Sequence, residues 1–258
     1  MDKFLIPSEK ILQGMNFAMG HAISLLTTSG ELFNQKKYPE STPLAILSYE
    51  ESAKASWLLR HLEEKRGVTK EDWKSLSDHK FKLTQLENDN LKMINNMSST
   101  EIQIYLDFQQ ETAQDIAENS KEDAMTKRND LLEILGKFDK VKQNCFYSNW
   151  DSTKKKWKSF RMFPKDDQYA MNYSIINLAE NLLARTIFLK DLYENPSKSS
   201  GIKGVIPDVE KNQIIELEDH KEDIENRKSF QNLKSHFEDS KENEILVAKG
   251  WSALRKYF

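Results

Sequence analysis

The stretch Pro43-Leu44-Ala45-Ile46-Leu47-Ser48-Tyr49-Glu50-Glu51-Ser52-Ala53-Lys54-Ala55-Ser56-Trp57-Leu58-Leu59 decides the fold. Wound at about 100° per residue, it places Leu44, Leu47, Glu51, Ala55, Leu58 and Leu62 on one face of a helix. Glu51 then stands inside an apolar stripe, where an ionised carboxylate is costly unless another helix supplies a partner. Glu50 and Lys54, four apart on the flank, read as an ordinary surface pair worth about 0.3–0.5 kcal/mol. Tyr38-Pro39-Glu40-Ser41 reads as a turn, Thr42 as the cap and Pro43 as the first helical position, where its missing N–H costs nothing. The helix is expected to end near Arg66-Gly67.

The next segment offers the partner. From Glu71 to Leu83 and on to Ile94 the apolar stripe runs Trp73, Leu76, Leu83, Leu91, Ile94, and Lys80 falls inside it with His79 on its flank. Opposite charges in adjacent stripes predict a Glu51–Lys80 ion pair. One reading makes it a salt bridge that only holds a bundle together. The other makes Glu51, Lys80 and His79 a polar site between helices.

The flanking sequence extends the helical pattern. Ser8 is a plausible cap for a first helix with the stripe Ile11, Met15, Ala18, Met19, Ala22, Leu25, Leu26, Phe33, and His21 at its edge reads as structural. Thr69 and Asp72 form a capping-box-like start for the third helix. A further helical region opens at Ser99. A long helix follows Pro164 and ends before Pro196, and Ser197-Lys198-Ser199-Ser200-Gly201 reads as a linker. The expected organisation is a helical domain over 1–196, a linker over 197–207 and a helical C-terminal extension over 208–258.

Composition agrees with an all-α bundle. The chain of 258 residues has 8 glycines, 6 prolines and 31% charged residues, which favours long amphipathic helices, and strand-like alternation is absent over any convincing length. A net charge of −3 gives no global basic field of the kind nucleic-acid binders often show. The single cysteine, Cys145, excludes an internal disulfide and a Cys-based zinc site, fits a reducing cytoplasm and reads as a buried, inert thiol. No apolar run reaches the roughly 18–20 residues that cross a bilayer, and Met1–Pro7 is too short for a signal peptide. A cytoplasmic protein without membrane association is expected. Without a Gly-rich phosphate loop, a Glu-x-x-His pair or a His-Glu-x-x-His helix, no metal and no cofactor are expected. From Phe146 to Phe163 aromatics alternate with cations, including Trp150, Lys154-Lys155-Lys156-Trp157-Lys158 and Arg161. That mixture suits stacked bases and phosphates, or a surface loop whose aromatics pack back on the bundle while the lysines stay in water.

The run from Leu25-Leu26 through Pro43–Ala55, followed by His79-Lys80, resembles the AbiV family of bacterial abortive-infection proteins, within the HEPN group of small helical bundles. The likeness runs roughly from residue 10 to residue 195 and includes Lys142…Phe146-Tyr147. Many HEPN ribonucleases carry an Arg followed after four to six residues by a His. Arg128-Asn129 begins that way, but Glu133, Ile134 and Leu135 stand where the His belongs. Lys142, followed five residues later by Tyr147, is the nearer match. Lys holds phosphate as a point charge, whereas Tyr, with a pKa of about 10, is a poor proton acceptor near neutrality.

The resemblance implies a HEPN-like bundle acting as a homodimer, a phage-defence effector that arrests host growth through translation once infection is sensed. A phage protein would be its activator and RNA or the ribosome its target. If the chain is a ribonuclease with a degenerate motif, His79, Lys80 and Glu51 are the candidate catalytic residues, His79 because its pKa of about 6.5 suits acid–base work. Lys142, Tyr147 and Arg128 are then the candidate RNA- and phosphate-binding residues. The contrasting reading is a non-catalytic module that binds RNA, the ribosome or a phage protein.

Overall fold

Helix α1 (Ser8–Asn34) forms where the sequence pattern demands it, burying Ile11, Met15, Ala18, Met19, Ala22 and Leu26. Pro7 caps it in extended conformation and Ser8 takes the first helical position, so the helix starts one residue earlier than a Ser8 cap would place it. The chain reverses within three residues. Lys37 N–H reaches Leu32 O and Lys36 N–H reaches Phe33 O, at 2.9 and 2.8 Å, with Lys36 in the left-handed region at φ 60°. This is the Schellman closure, with lysine where glycine is usual.

Helix α2 (Tyr38–Glu63) starts at Tyr38, not at Pro43. Pro39 falls in the first turn, where a missing N–H is harmless, and Pro43 lies inside the helix. A second Schellman closure, with Lys65 at φ 50°, ends the helix after Glu63. Thr69 then starts α3 (Lys70–Ser77) as predicted. Its hydroxyl accepts from Asp72 N–H at 3.1 Å, while Asp72 Oδ2 accepts from Thr69 N–H and Oγ1–H at 3.0 and 2.9 Å.

The computed structural model describes residues 5–77, 132–153, 155–194 and 241–258. They add α4 (Phe138–Phe146), a short hairpin of β1 (Asn149–Asp151) and β2 (Lys156–Lys158), a 3-10 turn (Phe160–Met162), α5 (Lys165–Glu194) and α6 (Lys241–Tyr257). The fold is all-α apart from that hairpin. Its antiparallel register, Trp150 opposite Trp157, puts strand-favouring aromatics where the sequence suggested a loop. The expected helix after Ser99 and the linker at 197–207 lie outside the described residues.

Helix α2 is the hub. It packs on α1, α5 and α4, and α6 packs on α5. One apolar cluster gathers Leu26, Ile46, Tyr49, Leu58, Phe138, Ile176 and Leu254 from five of these helices. A buried polar network pins three of them in register. Ser29 and Ser41 Oγ lie 2.9 Å apart, Ser41 Oγ reaches Asn172 Oδ1 at 3.0 Å, and Asn172 Nδ2 donates to Thr42 Oγ1 at 2.6 Å. Thr42 passes its own proton back to Tyr38 O at 2.8 Å. Such directional bonds specify alignment that apolar contacts alone leave loose.

Helix α6 comes close to α5 at Gly250. A Cβ there would lie 2.2 Å from Ala170 O and 2.0 Å from Ser174 Oγ. Ser174 Oγ lies 3.0 Å from Val247 O across the same crossing.

Candidate functional site

The charge buried in the central helix is Glu50, not Glu51. The Glu50 side chain is 2% exposed and its Oε1 accepts from Lys142 Nζ of α4 at 2.8 Å, with Asp139 Oδ1 3.6 Å from the same ammonium. The Lys142 side chain is itself only 10% exposed. Tyr49, next to Glu50, meets Phe138 of α4 edge-on at 5.9 Å. An ion pair with an aromatic contact beside it therefore clamps α4 to α2.

The expected surface pair Glu50–Lys54 is corrected accordingly. Lys54 Nζ lies on Glu51 Oε2 at 3.2 Å, with His21 Nδ1 3.9 Å from the same oxygen and the Trp73 ring 5.9 Å from the ammonium. Glu51 is half-buried on the least covered side of α2, along with Leu44, Leu47 and Lys54. The first half of the stripe that looked most apolar is thus the more open part of the helix, while its later members Ala55, Leu58 and Leu62 are buried. The opposite faces are lined by Ala45, Ser48, Ser52, Ala53 and Ser56, whose small side chains let α1 and α5 come close and bury Glu50 with them. His79, Lys80 and Arg128 lie outside the described residues.

Lys142 and Tyr147 do not form a joint surface. Lys142 points inward to Glu50, whereas Tyr147 sits past the end of α4 and is 65% exposed beside exposed Phe146. Cys145 is buried, and burial is the main cause that pushes its thiol far above the ordinary range, leaving no thiolate for chemistry. Glu40 beside it pairs with Arg161.

A second polar cluster, at the α2–α3 junction, went unread in the sequence. His61 is 2% exposed, with its ring centroid 3.9 Å from that of Trp57. Arg66 Nη2 lies 2.8 Å from His61 Nε2 and Arg66 Nη1 donates to Asp72 Oδ2 at 3.0 Å. Arginine can only donate, so Nε2 accepts, and Nδ1 carries the proton toward Trp57 O at 3.2 Å. Burial, first among the causes, lowers the His61 pKa. The imidazole is a neutral structural link. The signal was the spacing Trp57-His61 followed by Arg66 and the Thr69–Asp72 box. Helix α5 likewise buries Lys190 and brings it to Glu194 at 2.8 Å. Among the described residues no three His, Cys, Asp or Glu side chains gather as metal ligands.

These features define a class: a helical bundle built on one nearly submerged helix, tied to its neighbours by a buried ion pair and a polar network. The chain belongs to the AbiV family. The HEPN_AbiV family model, described as AbiV, matches residues 10–184, more than half of the chain, from α1 into α5. No curated protein and no solved structure matches it. Family membership points to a role in abortive infection, the defence of bacteria against phage. No described helix is long and apolar enough to cross a membrane.

Proposed function

We propose that the chain is a cytoplasmic abortive-infection effector that arrests host growth through translation when phage infection is sensed, with RNA as its target. The observation that carries this reading is the AbiV match over residues 10–184. Cleavage, if it occurs, rests on His79, Lys80 and Glu51, with Arg128 left to hold phosphate because Lys142 is held by Glu50. The occupied ammonium favours a second reading, in which the bundle binds RNA or the ribosome without cutting. A homodimer and a phage protein as activator belong to the proposal, and sedimentation at micromolar concentration tests the first.

The deciding experiment has two arms. Cells expressing wild type, His79→Ala, Lys80→Ala or Arg128→Ala at equal level are infected and their growth followed. Purified protein is incubated with ribosomal, transfer and messenger RNA, with and without extract of infected cells. Discrete fragments, lost together with growth arrest in His79→Ala, support cleavage. Full protection by His79→Ala, with RNA bound and intact, supports the binding module. Cells that resist phage no better than cells lacking the protein would overturn both.

A further inference from the structure

Among the described helices α1 packs on α2 and α5. On its outer side Phe17 is 56% exposed in mid-helix, a large ring among small and polar neighbours. The stripe it belongs to runs from Lys10 to Glu31 in steps of three and four residues, which keeps it on one face. His21 Nδ1, 3.9 Å from Glu51 Oε2, marks the edge of α2 that borders this stripe. Leu47 and Leu44 lie one and two turns along that edge, and both are half-buried.

We infer that this face joins two copies of the chain, with α1 lying antiparallel on α1 of the second copy about a two-fold axis. The stripe is self-complementary. Reversed about the midpoint between Gly20 and His21, it brings Lys10 opposite Glu31, Gln13 opposite Thr28 and Phe17 opposite Ser24, each of them exposed or half-buried. Every such pairing occurs twice, as an isologous interface requires. Opposite charges meet at both ends, a large ring meets a small side chain on each side of the axis, and Gly20 at the axis lets the two backbones come close. Thr28 can be covered without orphaning its hydroxyl, which already donates to Ser24 O at 3.0 Å. From Lys10 to Glu31 the stripe is roughly 32 Å long, and with the bordering edge of α2 about 20 Å wide, a footprint of roughly 640 Å². Each partner in a specific complex contributes about 600–1,000 Å². This interface rests on the homodimer proposed above and deepens it, adding the face and the register.

The test is analytical ultracentrifugation of the full chain at low and moderate salt. Wild type is expected to be a dimer at micromolar concentration. Phe17→Asp should weaken it at least tenfold with an unchanged melting temperature, because the ring is exposed. Lys10→Glu and Glu31→Lys each set like charges against each other at both ends, and each should weaken the dimer tenfold or more at low salt. Mixed together they restore both opposite pairs, so the mixture should dimerise as wild type does while neither variant does alone. Phe146→Asp, at an exposed aromatic on α4, should leave the dimer intact. If Phe17→Asp fails to fold, the mixture of charge variants still decides. A wild type that stays monomeric overturns homodimer and interface together. A dimer that survives Phe17→Asp or Lys10→Glu, one that Phe146→Asp dissolves instead, or a mixture that does not associate overturns the interface alone.

Discussion

Replacing Lys142 by alanine removes one half of a buried pair and leaves the Glu50 carboxylate, 2% exposed, facing the Tyr49–Phe138 contact without its 2.8 Å partner. Asp139, 3.6 Å from the lost ammonium, adds a like charge. Stranding one member of such a pair costs about 3–5 kcal/mol, whereas replacing both with apolar residues of similar volume is close to neutral. At about 2–4 °C per kcal/mol for a chain of this size, Lys142→Ala should melt roughly 6–20 °C below wild type. Glu50→Met/Lys142→Met should recover most of that loss. Glu51→Ala is the control, because its partner Lys54 is half-exposed and surface pairs are worth about 0–1 kcal/mol. The assay is urea and thermal unfolding of the three variants and wild type by circular dichroism. A Lys142→Ala loss under about 1 kcal/mol, or a Glu51→Ala loss as large as that of Lys142→Ala, would refute the assignment of the core charge to Glu50.

Two further outcomes follow from the packing and the electrostatics. Gly250→Ala should loosen α6 from α5, since its Cβ would fall 2.2 Å from Ala170 O. Overpacking of this kind costs about 1–3 kcal/mol, so faster amide exchange and proteolysis confined to 241–258 should report it, and an unchanged exchange pattern would contradict the crossing. Burial holds the Glu63 carboxyl at about 7 against 4.5 in an unfolded chain, with Arg60 opposing and Glu64 adding to the shift. The fold therefore binds the proton more tightly, and this carboxyl makes stability fall as pH rises from about 4.5 to about 7. Glu63→Gln should remove that loss, matching wild type near pH 4 and exceeding it by about 1–3 kcal/mol at pH 8 in urea titrations.

Helix α1, the Thr69–Asp72 box and the all-α class could be read from spacing and caps, because each depends on residues close in sequence. The placement of Glu50 could not. Hydropathy ranks Leu44 and Leu47 above Ala45, Ser48 and Ala53, but burial in α2 follows which face lets another backbone come near, and small residues set that. Glu50 meets Lys142 across 92 residues, a partnership that no local pattern encodes. Pro43 misled in the opposite direction, since its preference for a first turn is weaker than the drive of Tyr38 to enter the core from an earlier start. The hairpin went unread because two three-residue strands are too short to show alternation.

The polar network among Ser41, Thr42 and Asn172 also sets a timetable for biosynthesis. Asn172 follows Ser41 by 131 residues. At about 5–20 residues per second, a ribosome delivers it roughly 7–26 s after Ser41. Until then the nascent α1–α2 hairpin has no α5 to cover α2, and the hydroxyls of Ser41 and Thr42 lack their amide partner. The N-terminal third of the bundle therefore emerges as an unfinished, adhesive intermediate, and its last polar contacts close only when most of the chain has been made.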